Sequence, residues 1–349
     1  MTAHSVVSTL SIRKKILFSL LYALMLAVAC IIGGELIVRA KGGTPWKPYE
    51  LSVKVSPGGR FFQKSATLGY TLIPGDYAVT LPDGYVFNTT HMPNGLRATH
   101  PRNTYGTNSV KPEIWIFGCS YTYGWSLNDS ETYAWLLQEQ FPEYEVVNFG
   151  VNGYGTIHSL IQLKEALKRR CPPAVVIVAY ASFHDDRNTF LRDRRKAIVP
   201  WNKLGPLVQP YARLDRQGGL VYSFAQVEYW EFPFMRSSAL MHFLEQKYNQ
   251  LQDRLCPSHK VSKALLLEFS DLSREYKFNL VVAGIADYFL TKEMMTYLNK
   301  KGINQVDISV SSSDDKYKNL PHDDHPNALA NRLFADKLKS YLMERHLLP

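Results

Sequence analysis

Residues 16–34 carry no charged side chain, and an apolar run of this length is what a helix needs to cross the hydrocarbon core of a bilayer. Such a segment constrains the rest of the chain, which must fold on one side of a membrane or be released from it. Arg13, Lys14 and Lys15 stand directly before the run. By the positive-inside rule, residues 1–15 are a cytoplasmic tail, 16–38 the anchor, and everything beyond is exported. A cleavable signal peptide is the competing reading. The run is longer than a usual signal core, and Glu35-Leu36-Ile37-Val38-Arg39 offers no small-x-small cleavage site. The sequence therefore favours a single-pass protein of the cell (inner) membrane with an extracytoplasmic, periplasmic-type main domain.

That exported part has ample material for a core, since 46% of the 349 residues are hydrophobic. The formal net charge of +9 comes from scattered Lys and Arg with one cluster at Arg187, Arg192, Arg194, Arg195 and Lys196. This pattern suits a solvated face beside a membrane or contact with anionic surfaces. There is no Walker loop, no zinc-type Cys/His spacing and no nucleic-acid motif, so no cofactor and no nucleic-acid partner are expected. Of the four cysteines, Cys30 lies in the anchor and Cys119 beside a serine turn, which leaves Cys171 and Cys256 to pair if the compartment is oxidising.

Residues 39–111 are rich in Gly, Pro, Thr and Tyr, with short β-prone pieces at 70–73, 77–81 and 85–87 and a Pro82-Asp83-Gly84 turn. They predict a small β-rich lead-in without chemistry of its own. Next, Ile114-Trp115-Ile116-Phe117 ends abruptly in Gly118-Cys119-Ser120-Tyr121-Thr122-Tyr123-Gly124. A buried strand that stops in a small-residue turn can present a hydroxyl in the crevice where open α/β sheets bind ligands. Alternation follows: a helix over 131–141 capped by Asp129 or Ser130, a strand over 145–149, a Gly-rich turn over 150–156, a helix over 158–170 and an apolar strand over 174–180. It resumes with helices over 262–276 and 291–301, strands over 279–285 and 305–310, and a last helix over 327–344 with Leu329, Leu333, Phe334, Leu338, Tyr341 and Leu342 on one face. This order predicts an α/β domain at 112–346 with a parallel sheet of about five strands. Residues 187–260, with prolines and an aromatic run, break the rhythm and predict an inserted lobe.

Three further stretches come where carboxyl ends of strands would bring them beside Ser120. They are Gly150-Val151-Asn152-Gly153-Tyr154-Gly155-Thr156, Ser182-Phe183-His184-Asp185-Asp186-Arg187-Asn188 and Pro321-His322-Asp323-Asp324-His325-Pro326-Asn327. With these blocks in this order, residues 110–345 resemble the SGNH (GDSL-like) hydrolase superfamily, in particular its membrane-anchored bacterial members. The resemblance implies a three-layer α/β/α, flavodoxin-like fold. It also implies that Ser120 attacks an ester carbonyl and that His325 takes up its proton and returns it to the leaving alcohol. The oxyanion would be held by the backbone N–H groups of Ser120 and Gly153 and by a side chain of the third block. Where the family has Asn followed by Asp in that block, His184 and Asp185 stand here. A ring nitrogen can donate, which makes His184 the candidate, with Asn188 four residues further on. The orienting carboxylate usually lies three residues before the base, where this chain has His322. Asp323 is the candidate on an Asp-x-His spacing, Asp324 is the alternative, and a Ser-His dyad would need neither. A metal site from His322, Asp323, His184 and Asp185 lacks characteristic spacing, and none is expected.

The implied activity is that of a membrane-anchored serine esterase or deacylase, with a Ser120 acyl-enzyme and an O-acyl ester substrate. The anchor suggests a cell-envelope carbohydrate as the ester's carrier. An O-acyltransferase using the same site, or a non-catalytic envelope binding or assembly module, are the alternatives that the altered third block keeps open.

Overall fold

The computed structural model describes residues 11–48, 52–101 and 111–348. Residues 1–10 of the expected tail, and 49–51 and 102–110 of the expected lead-in, lie outside the described residues. The chain divides into two compact units, one made of the N-terminal helix with residues 230–252, the other of the remainder. In chain order the elements are α1 (Ile12–Ala40), β1 (Lys54–Ser56), β2 (Phe62–Ser65), β3 (Gly69–Leu72), β4 (Gly75–Thr80), β5 (Val86–His91), β6 (Glu113–Phe117), α2 (Ser120–Tyr123), α3 (Tyr133–Gln140) and β7 (Glu145–Asn148). There follow α4 (Thr156–Leu167), β8 (Val175–Tyr180), α5 (His184–Thr189), α6 (Arg192–Ile198), β9 (Val208–Leu214), β10 (Leu220–Gln226), α7 (Ala239–Leu255), α8 (Ser258–Tyr276), β11 (Asn279–Gly284), α9 (Phe289–Lys300), β12 (Asn304–Asp307) and α10 (Ala328–Glu344).

In the first unit, α1 has 29 residues, none of them buried, and is long and apolar enough to cross a membrane. Near its end the Glu35 carboxylate accepts from the Ala239 and Leu240 N–H groups at 3.0 and 2.8 Å. It thereby satisfies two of the orphan donors at the start of α7.

The second unit is a three-layer α/β/α structure. Its five-stranded sheet has the order β12-β11-β8-β6-β7 and every pairing is parallel. Alternation along β6 sends Ile114 and Ile116 to a core with Tyr133 and Leu137 of α3 and Phe334 and Leu338 of α10. Trp115 and Phe117 go to the opposite core with Leu160 of α4, Leu266 and Phe269 of α8 and Leu298 of α9. With both faces covered, β8 is buried at all six positions. The lead-in forms an antiparallel sheet β1-β4-β5 and a hairpin β2-β3. Its Phe61, Leu72, Val79 and Phe87 pack with Tyr123, Val151 and Tyr154 of the main domain.

Several boundaries differ from those expected, each for a local reason. Helix α3 starts at Tyr133 because the Thr132 hydroxyl caps it, accepting from Trp135 N–H at 3.3 Å. Asp129 instead receives the buried Arg97 guanidinium at 2.9 Å and Thr90 N–H at 3.0 Å. Helix α4 begins two residues early, at Thr156, where Asn188 Oδ1 accepts the Ile157 N–H at 3.0 Å. Leu329, expected on the packed face of the last helix, is 44% exposed. Cys171 and Cys256 are both free thiols, so the pairing expected between them is not present.

The tightest backbone approach in the second unit is at Gly150, where a Cβ would stand 2.6 Å from Tyr123 N and 2.8 Å from the Thr122 carbonyl carbon. Backbone cannot yield as a side chain can. Gly150→Ala is expected to destabilise the protein by about 1–3 kcal/mol, read as a lowered denaturation midpoint. An unchanged midpoint would show that this turn yields more readily than its contacts imply.

Candidate active site

Strand β6 ends at Phe117, and Gly118 and Cys119 carry the chain into α2, whose first residue is Ser120. Because β7 and β8 flank β6 on opposite sides, Ser120 emerges where the winding of the sheet reverses, the place where such sheets leave a crevice at their carboxyl edge. Asn148, the last residue of β7, ties the neighbouring turn to α2. Its Nδ2 donates to Thr122 O and its Oδ1 accepts from Gly150 N–H, both at 2.9 Å.

Further along that turn Gly153 takes φ +81°, a conformation that L side chains rarely adopt. Its carbonyls are held from behind. The Tyr70 hydroxyl donates to Asn152 O at 2.6 Å, Arg194 to Gly153 O at 2.9 Å and Arg187 to Tyr154 O at 2.9 Å. Among the described residues the backbone N–H groups of Ser120 and Gly153 have no protein acceptor. Two fixed donors are thus available to a developing negative charge.

The opposite wall is the loop before α10. His325 Nε2 lies 3.0 Å from Ser120 Oγ, and its Nδ1 is hydrogen-bonded to Asp323 Oδ1. The same carboxylate accepts from His325 N–H at 2.7 Å and from the Trp125 indole at 3.1 Å. Burial works to raise the Asp323 carboxyl, but the donors from His325 and Trp125 outweigh it and hold the group below the usual aspartate range. An ionised Asp323 only accepts, so the ring hydrogen sits on Nδ1 and Nε2 presents its lone pair to the Ser120 hydroxyl. Asp324, by contrast, is 87% exposed and 3.8 Å from His325 Nδ1. His322 is engaged elsewhere. Its Nδ1 meets Asp83 Oδ2 at 2.5 Å and its ring stacks on Tyr85 with centroids 4.3 Å apart, so the lead-in pins the loop that carries His325.

In the third block, His184 is fully buried with Nδ1 3.5 Å from Thr156 Oγ1, and its Nε2 has no hydrogen-bond partner among the described residues. Burial first, and then the charges of Arg187 and Arg194, hold this imidazole well below the ordinary histidine range, so it is neutral at pH 7. Asp185 turns away. It accepts from Tyr180 at 2.7 Å, Ser262 at 2.5 Å and His259 at 2.7 Å. Asn188 caps α4 and donates to Ser262 at 2.8 Å. Beyond Phe183 lies an open groove of about 750 Å³ with Asp185, His259, Tyr288 and Glu293 in its lining. The Phe183 ring packs on Tyr121, and Tyr121 on His325, with centroids 5.5 and 5.6 Å apart.

No protein-family model and no curated protein sequence matches this chain. Among solved structures it is similar to TesA, at 12% identity over 68% of this chain and 99% of that one with a TM-score of 0.40. It is also similar to a member of the lipolytic G-D-S-L family from Veillonella parvula, at 11% identity over 65% of this chain and 96% of that one with a TM-score of 0.38. A third is the psychrotrophic esterase EstA from Pseudoalteromonas sp., at 12% identity over 68% of this chain and 99% of that one with a TM-score of 0.39.

Three contributors to the site carry no motif. Trp125 anchors the acid, Tyr70 braces the Gly153 turn, and the lead-in holds α2 through Tyr123, whose hydroxyl meets His91 Nε2 and Thr89 Oγ1, each at 2.8 Å. The Gly-rich pattern after β7 marked the turn, but nothing local marks the tyrosine that fills its back.

His158 lies under this turn, stacked on Tyr154 at 4.5 Å, with Nδ1 accepting from Gly155 N–H at 3.2 Å and Nε2 donating to Gln209 Oε1 at 2.8 Å. Burial pushes it down from 6.5 to about 4. A depressed histidine contributes stability that is fully present above its unfolded value and is lost as pH falls toward the folded one. Between pH 7 and pH 5 its share of the loss is about 1–2 kcal/mol. In thermal unfolding across this range, His158→Asn should therefore fall less steeply with acidification than the parent. Parallel curves would contradict the assignment.

Proposed function

We propose that this chain is a membrane-anchored serine esterase of the SGNH (GDSL-like) type that removes O-acyl groups through a Ser120 acyl-enzyme. The observation that carries this reading is the imidazole of His325, with Ser120 Oγ 3.0 Å from one ring nitrogen and Asp323 on the other. His325 takes the hydroxyl proton as Ser120 attacks the ester carbonyl, and gives it to the alcohol as the tetrahedral intermediate collapses. Water, deprotonated by the same ring, then releases the acid. The Ser120 and Gly153 N–H groups hold the oxyanion, joined by Nε2–H of His184 in the place of the family's asparagine. A neutral His184 suits that role, because it can donate without requiring a counter-charge.

The helix Ile12–Ala40 serves as an uncleaved anchor, amino terminus inside, and the esterase domain faces the exterior of the membrane. Two features favour an acylated envelope carbohydrate as substrate. The anchor confines the domain to the envelope, and the groove beside Phe183 mixes aromatic faces with charged groups, the combination that sugar rings and hydroxyls use.

With the purified full-length protein and p-nitrophenyl acetate, Ser120→Ala and Asp323→Asn should each lower kcat on the order of 10³-fold or more, while Asp324→Asn stays close to the parent. Undiminished hydrolysis by Ser120→Ala would remove the catalytic assignment.

A further inference from the structure

Helix α7 is turned inside out. It buries Ala239, Glu245 and Asn249, while Phe243, Leu244, Tyr248 and Leu251 stand 39, 45, 49 and 53% exposed. At about 100° per residue these four share an arc of roughly 140°. Lys247 lies within the arc, its ammonium 5.2 Å from the centroid of the Phe243 ring and donating to Gln250 Oε1 at 3.1 Å, so this cation is held along the apolar face. Ahead of the helix, Phe234 is 77% exposed. A soluble surface avoids an apolar stripe of this kind, and an interfacial helix uses one.

Position decides what covers it. Glu35 accepts from Ser238 Oγ at 2.7 Å, from Ala239 N–H at 3.0 Å and from Leu240 N–H at 2.8 Å. Trp46 N–H donates to Met235 O at 2.9 Å, and His242 Nδ1 donates to Thr44 O at 2.8 Å. The start of α7 is therefore bound to the end of α1. At 1.5 Å per residue, the rise from Ile16 to Glu35 is about 29 Å, which matches a hydrocarbon core of about 30 Å. Glu35 comes at the edge of that core, and the start of α7 comes with it.

We propose that Phe234 and the exposed face of α7 lie in the interface of the leaflet from which α1 emerges, with phospholipid as their occupant. The proposal rests on the reading of α1 as an anchor, and the following experiment separates the two. The full chain carries Cys30→Ser, Cys171→Ser and Cys256→Ser, which leaves only the buried Cys119, and is placed in phosphatidylcholine–phosphatidylglycerol vesicles containing spin-labelled lipid. A fluorophore is attached through single substitutions Ile32→Cys, Phe234→Cys, Leu251→Cys or Asp271→Cys. Position 32 reports the anchor, and Asp271, exposed on α8, is the aqueous control. The probes at 32, 234 and 251 should each lose roughly half of their fluorescence or more, and the probe at 271 little. Quenching at 32 with 234 and 251 behaving like 271 would overturn the proposal while leaving the anchor. So would energy transfer between copies labelled at 251 without lipid quenching, because a second copy would then cover the face. Absence of quenching at 32 would remove the anchor and the proposal together.

Discussion

Asp323 receives the Nδ1–H and the backbone N–H of His325 together with the indole N–H of Trp125, and the geometry of the site depends on this convergence. Trp125 belongs to the same turn as the nucleophile, and its own N–H donates to Ser120 O at 3.0 Å. The acid and the hydroxyl are thus referenced to one short piece of backbone, although Ser120 and Asp323 are far apart in sequence. A partly buried carboxylate would ordinarily rise toward neutrality. Three donors reverse that tendency, and an ionised Asp323 fixes which ring nitrogen of His325 is free to accept.

The other half of the site is organised by cations acting at a distance. Arg187 and Arg194 donate to the carbonyls of Tyr154 and Gly153, so positive charge lies behind the turn whose N–H groups face the crevice. The same two charges disfavour protonation of His184 and His158. Burial and the neighbouring Arg187 push Arg194 itself down to about 10, which still leaves it charged at neutral pH. Positive charge behind the Gly153 turn would favour an anion held by the N–H groups in front of it.

Much of the architecture was legible because its signals are local. The apolar runs that became β6 and β8 are buried on both faces, and the Gly-rich turn after β7 is demanded by backbone approach at Gly150 and by positive φ at Gly153. Helix starts were less legible where a distant side chain sets them, as Asn188 does for α4. The choice between neighbouring carboxylates was legible only through the Asp-x-His spacing that the resemblance supplies. Asp323 and Asp324 have the same chemistry and adjacent positions, and it is Trp125 that distinguishes them. The lead-in likewise reads as a linker, because the bonds of Tyr70, Asp83 and His91 to the site loops and to α2 exist only in three dimensions.

The reactivity of Ser120 is tested most directly by mass-spectrometric location of the adduct formed when the folded protein reacts with a fluorophosphonate. One adduct is expected, on the peptide that contains Ser120, and its loss in a folded His325→Ala variant, because the hydroxyl then has no base at 3.0 Å. A folded protein that takes up no probe, or labelling that persists in Ser120→Ala, would contradict this expectation.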